Sequence, residues 1–334
     1  MIVPQRAVPR RPVTRAAPGA GIGGPVVAGR AGRQNRGVGL AVTEPDRFGQ
    51  VRLADGRRLG WAEWGPPGGA PVLFCPGAGT SRRLGFGADA VDAFGVRLIS
   101  LDRPGLGASD AAPGRTLIDW AADVAEFAGL ARLRRPAAVG FSQGAPFALA
   151  CAAVGAVSAV AVVSGTDELA RPQVTAALPE QVRWLVGAAA DDPDEAEAHF
   201  AQLDAERLLH MVTATCGPSD REVYEEAAFA AQFRRALVEG FAQGSAGYAR
   251  DTLLSMTPWP FDPAAIRVPV EFWYGALDTS PVHSPDFGEV LAARIPHARR
   301  HLLAQSGGAL LWTQSERILV SLLRLAGVLA SPDF

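Results

Sequence analysis

The feature that most constrains this chain is a series of short, continuous apolar runs, each closed by a turn. They read "PVLFC" (71–75), "VRLISLD" (96–102), "AAVGF" (137–141) and "VSAVAVVSG" (157–165). Runs of this length bounded by turns suit strands buried on both faces. Helical-length segments separate them. In 117–132, Leu117, Trp120, Ala121, Val124 and Phe127 recur at helical spacing. Buried strands alternating with helices predict a mostly parallel sheet covered on both sides. Ahead of them, residues 48–64 alternate apolar and polar about Asp55–Gly56, a β-hairpin signal.

The alternation stops after residue 165. Residues 167–262 read as almost entirely helical, with breaks near Asp192-Pro193, Gly217-Pro218 and Pro258–Pro260. Strands then return at 268–275 and 298–304, with helices at 285–295 and near 311–327. The expectation is an α/β fold: a doubly wound, mostly parallel eight-stranded sheet, built from residues 44–166 and 263–330. A helical insertion, 167–262, follows the sixth strand. No internal repeat is visible.

With 334 residues, 48% of them apolar, the chain is long enough to bury such a core. Net charge is −2, but residues 1–43 hold seven arginines and no acid, amid Pro, Gly and Ala. That segment has too little apolar surface to offset its ordering entropy, so a disordered tail is expected. No apolar stretch follows Arg10-Arg11 as a secretory signal requires. Cys75, Cys151 and Cys216 lack paired or metal-type spacing. No run reaches the ~18 apolar residues of a membrane span. A phosphate loop, a metal cluster and a nucleic-acid motif are all missing from the sequence. The expectations are a cytoplasmic protein with no cofactor, no metal, no nucleic-acid partner and no membrane partner.

Chemistry concentrates in "AVGFSQGAPFALA" (138–150). A buried strand runs through Gly140-Phe141-Ser142-Gln143-Gly144 into a helix of small residues. This is the G-x-S-x-G nucleophile elbow in its strand–turn–helix context, with Ser142 exposed at a helix N-terminus. Small neighbours let strand and helix approach closely.

The chain here resembles the capped bacterial members of the α/β-hydrolase superfamily over residues 48–327. "DRPGLGASD" (102–110) resembles that family's turn after its fourth strand, and "WYGALD" (273–278) its seventh-strand end. "FAQGSAGYARD" (241–251) with "PWPFDPAAIRVPV" (258–270) is similar to its return from cap to core. The resemblance implies that 167–262 is a cap over a pocket, that Ser142 is the nucleophile, and that the catalytic acid falls on Asp278. It implies oxyanion donors at the backbone N–H of Ala78, in a Pro76-Gly77-Ala78 loop where the family has His-Gly-x, and of Gln143. An Asp in a Thr-Ser-Pro turn also suits local capping. Asp167, after the sixth strand, is the alternative acid, although a cap for the first inserted helix is the more ordinary role.

The family's histidine, aligned on "ARIPHARRHLLAQSGGALL" (293–311), falls on Gly308. Five histidines are elsewhere. His301, seven residues earlier, stands ~23 Å back along an extended strand; it and His297 are expected at the surface. His199 and His210 lie in the helical insertion. His283, five residues after Asp278, belongs to a loop on the catalytic edge. It either reaches Ser142 or a water, or starts a helix facing solvent, the more ordinary fate. An elbow without a base is a very slow hydrolase, because the serine hydroxyl is a poor nucleophile unaided.

The expected function is a carboxyl-ester-type hydrolase or acyl transferase with an incomplete triad, acting on a small acyl or ester ligand. The alternatives are an inactive member binding an apolar or acyl ligand, and a cofactor-free lyase or cyclase using Asp278 or Asp167. Restoring an imidazole by Gly308→His is expected to raise esterase activity.

Overall fold

The computed structural model describes residues 40 and 42–330. The Arg-rich tail expected at 1–43 lies outside them save for its last few residues. Those residues are not tail-like: Leu40 and Val42 pack on the core, and Trp64 Nε1 donates to the Thr43 carbonyl at 3.0 Å.

Eight strands form one sheet: β1 Arg47–Arg52, β2 Arg58–Trp64, β3 Ala70–Cys75, β4 Val96–Leu101, β5 Ala137–Phe141, β6 Val160–Val163, β7 Val270–Gly275 and β8 Ala298–Leu303. Their order is β1-β2-β4-β3-β5-β6-β7-β8. The β1–β2 and β2–β4 pairs are antiparallel; the others are parallel. The doubly wound α/β expectation holds. The hairpin pairs Arg52 with Arg58 around Asp55–Gly56, where Gly56 takes φ +91°.

After β3 the chain steps to β4 on one side, then crosses to β5 on the other. The loops following β3 and β5 therefore part at a switch point, where open α/β sheets leave a crevice. Helices α1 Ala88–Ala93, α2 Leu117–Leu130 and α3 Gly144–Ala153 connect the first strands. A capping box starts α2: Thr116 accepts from Asp119 N, and Asp119 reaches back to Thr116 N.

Between β6 and β7 lie α4 Pro172–Ala177, α5 Glu180–Asp191, α6 Pro193–Phe200, α7 Ala205–Thr215, α8 Pro218–Glu225, α9 Ala227–Gly240 and α10 Ala246–Met256. Proline falls at the start of α6 and α8, where its missing N–H is harmless. The chain ends with α11 Glu289–Ala293, α12 Leu310–Thr313 and α13 Ser315–Leu325.

Alternate strand residues feed two cores, as the two-residue period of a strand dictates. Val72, Phe74 and Val139 join α13 (Ile318, Leu322) and, from the helical segment, Leu208, Phe229 and Phe233. Leu73, Ala138 and Val162 join Trp120, Phe147 and Phe272. A third core, including Val182, Val186 and Leu253, lies within the helical segment.

Candidate active site

Ser142 follows the last residue of β5 and takes φ +50°, in the left-handed region. Holding a non-glycine residue there costs of order 1–3 kcal/mol, which the surrounding packing must supply. The packing leaves little latitude. A Cβ on Gly144 would sit 1.9 Å from the Cys75 carbonyl oxygen. So β3 and the start of α3 meet backbone to backbone, and only glycine fits between them. The turn closes with Ala145 N–H donating to the Ser142 carbonyl at 3.0 Å.

The loop after β7 brings two further groups to that hydroxyl. His283 Nδ1 lies 2.7 Å from Asp278 Oδ2, and its Nε2 lies 2.9 Å from Ser142 Oγ. With Asp278 ionised, Nδ1 carries the proton, and Nε2 is free to accept from the serine. Burial pushes the Asp278 carboxyl up. The His283 charge and hydrogen bond, aided by Ser280 N–H at 3.0 Å, outweigh burial and hold it below the usual carboxylate range.

His283 is therefore not the solvent-facing helix-start residue that the loop sequence favoured; its side chain is 11% exposed. The imidazole missing at Gly308 comes from a different loop. An elbow left without any imidazole does not describe this geometry. Two contacts pin the loop: Ser284 N–H donates to the Gly165 carbonyl at 3.0 Å, and Ser284 Oγ lies 2.9 Å from Asp167 Oδ2. Asp167 does not cap α4, which starts after Arg171. It sits under the His283 loop and also accepts from Glu168 N–H at 2.7 Å.

The turn after β8 has been given other work. Gly308 N–H donates to Asp220 Oδ2 at 2.8 Å, and Ala309 N–H to Oδ1 at 2.9 Å. Asp220 belongs to α8, so a carboxylate from the helical segment clamps this turn. Burial pushes the Asp220 carboxyl up; the two amide bonds oppose that, and the neighbouring Asp278 charge adds to it. A Cβ on Gly308 would stand 2.7 Å from Asp278 Oδ1. A histidine at 308 would have to displace the Asp278 carboxylate, which is already bonded to His283 at 2.7 Å.

Ala78 lies in the loop after β3 and Gln143 follows Ser142. Among the described residues neither N–H donates to another group, so both are free to donate. Arg103 braces the Pro76–Gly77 loop. Its guanidinium donates to the Pro76 carbonyl at 2.6 Å, the Gly77 carbonyl at 2.9 Å and Asp251 Oδ2 at 2.5 Å. Arg115 holds the other Asp251 oxygen. The sequence marked Arg103 within a family-like turn, but its carboxylate partner lies 148 residues away on α10. Asp220 carried no sequence signal beyond following Pro218 at a helix start.

The other histidines stay away. His199, His210 and His297 are exposed. His301 is less superficial than expected: it stacks on Trp273 at 3.9 Å and lies 3.3 Å from Glu271. Of the helical segment's aromatics, Trp184 is at the surface, Phe229 and Trp259 are buried packing, and Tyr224 and Phe233 line the site. The cavity at Ser142 is about 130 Å³ and mostly apolar, with Ala78, Phe141, Leu208, Met211, Phe233 and Trp312 in its wall. Among the described residues no cluster of His, Cys, Asp and Glu could hold a metal.

The sequence matches the family described as the alpha/beta hydrolase fold over residues 70–314. The chain belongs to that family. Solved structures agree in fold. A hydrolase from Pseudomonas aeruginosa is 21% identical, with TM-score 0.62 over 83% of this chain and 98% of that one. An esterase from Rhodococcus is 20% identical, with TM-score 0.57 over 85% and 99%. An enol-lactonase from Burkholderia xenovorans is 19% identical, with TM-score 0.60 over 83% and 100%. No curated protein matches this α/β-hydrolase-fold chain. Among the described residues no helix is long and apolar enough to cross a membrane.

Proposed function

We propose that this protein is a serine carboxyl-ester hydrolase whose base, His283, comes from the loop after β7. One observation carries the reading: Ser142 Oγ, the His283 ring and the Asp278 carboxylate stand in a hydrogen-bonded line of 2.9 and 2.7 Å. A serine hydroxyl needs such a partner to lose its proton as it attacks.

His283 Nε2 takes the Ser142 proton while Oγ attacks the ester carbonyl. Asp278 holds the ring in the tautomer with Nδ1 protonated and offsets its developing charge. The Ala78 and Gln143 N–H groups receive the oxyanion. His283 then protonates the leaving alkoxide, giving an acyl-serine. Water, deprotonated by the same nitrogen, releases the acid. The helical segment 167–262 serves as the cap, supplying Leu208, Met211 and Phe233 to the acyl cavity.

The inactive-binder reading loses its main support, since it rested on Gly308. A lyase using Asp167 is disfavoured because that carboxylate is held by Ser284 and Glu168 outside the cavity wall. A fluorophosphonate probe tests the proposal. Prompt labelling is expected, lost in Ser142→Ala, together with hydrolysis of p-nitrophenyl butyrate that falls about 10⁶-fold in His283→Ala. Labelling no faster than free serine, or full activity in His283→Ala, defeats it.

A further inference from the structure

The next inference rests on ester hydrolysis at Ser142 and concerns the charge of the acyl group. Apart from the reacting groups, the cavity wall is apolar, with a few hydroxyls such as Tyr224 and Thr215. No arginine lines it among the described residues, and the chain contains no lysine. Its titratable wall groups include Asp220, Asp278 and His283. Asp278 has the imidazole as its partner at 2.7 Å. Asp220 meets no cationic side chain among the described residues; its two oxygens accept only the Gly308 and Ala309 N–H groups. Burial pushes this carboxyl up and the two N–H donors oppose it; no guanidinium pairs with it, so whatever negative charge it carries stands at the cavity wall, where apolar surroundings screen it poorly.

We propose that Asp220 makes this a site for compact, uncharged acyl groups and rejects acyl chains that end in a carboxylate. Specificity of this kind comes from a repulsive element. The size limit follows from volume. A cavity of about 130 Å³ is close to the ~150 Å³ that holds a benzene-sized guest. The charge limit follows from like sign: an entering carboxylate loses its water and finds no cation to replace it.

Two isosteric esters isolate charge from size: p-nitrophenyl 4-carbamoylbutanoate, which is neutral, and mono-p-nitrophenyl glutarate, which is anionic. The neutral ester is expected to have kcat/KM about 100-fold higher. In Asp220→Asn that ratio is expected to fall at least about tenfold. Both esters see the same folded fraction, so partial misfolding of the variant cancels in the ratio. A wild-type ratio within about threefold of one, or an unchanged ratio in Asp220→Asn, overturns the proposal. If neither ester is cleaved and the fluorophosphonate does not label Ser142, the hydrolase reading has failed. The charge preference is then read as binding of pentanamide against pentanoate through Trp312 fluorescence. Weaker binding of the anion supports the role of Asp220, and equal binding sinks it.

Discussion

At the residue scale the site turns on an exchange between Gly308 and His283. Glycine at 308 lets the Asp278 carboxylate pack against the turn after β8. With that turn clamped by Asp220, the imidazole arrives from the β7 loop instead. Gly308→His is therefore expected to lower activity and to destabilise by about 1–3 kcal/mol, as overpacking does; activity on p-nitrophenyl butyrate and a urea titration check it. The held-down carboxyl of Asp278 adds a pH signature. A group with a lowered folded-state pKa contributes stability that is present above its unfolded value and is lost as pH falls through the folded one. The stability gap between wild type and Asp278→Asn is thus expected to persist from pH 7 down to about 4 and to narrow only below that. Denaturant titrations at pH 7 and pH 3 measure it. A gap already closed at pH 5 contradicts the Asp278–His283 hydrogen bond.

At the scale of elements, two turns set the geometry. The elbow places Ser142 at φ +50° because β5, α3 and the Cys75 carbonyl allow no alternative path. The β7 loop is held less tightly, by the Ser284 backbone and hydroxyl. Ser284→Ala leaves the buried Asp167 carboxylate with one hydrogen bond fewer. It is expected to cost about 1–3 kcal/mol of stability. It is also expected to lower kcat about tenfold while KM changes little, because a loosened loop misplaces the base without altering the cavity. Steady-state kinetics on p-nitrophenyl butyrate separate the two constants.

At the scale of the molecule, the helical segment is built into the edge of the sheet that carries Ser142. It shares a core with the sheet through Leu208, Phe229 and Phe233. It clamps the β8 turn through Asp220, and it ties to the Asp278 loop where Thr279 Oγ1 donates to the Thr215 carbonyl at 2.8 Å. The firmest tie is electrostatic. Asp251 on α10 joins Arg103 and Arg115, and Arg103 carries the Pro76–Gly77 carbonyls. Arg103→Ala removes one partner of a fully buried carboxylate, which costs about 3–5 kcal/mol. It also frees the Pro76–Gly77 loop. The expected result is a large drop in thermal midpoint, with weakened labelling in whatever protein remains folded; calorimetry and the fluorophosphonate probe read the two effects.

Most of the architecture was written in local pattern. Buried strands, helix starts at Pro193 and Pro218, the Asp55–Gly56 hairpin and the Ser142 elbow each depend on neighbours a few residues apart, which a linear reading can see. Which imidazole faces Ser142 was not legible that way. His283 lies 141 residues from Ser142, and the loop sequence around it favours a solvent-facing residue until β7 is set beside β6 and β5. The Asp220 clamp and the Arg103–Asp251 pair have the same character: their partners are 88 and 148 residues distant. Sequence determined which hydroxyl is held in a strained turn, because strain is a local property of the backbone. Which imidazole meets it was decided by the tertiary structure alone, because a hydrogen bond depends on where two distant loops come to rest.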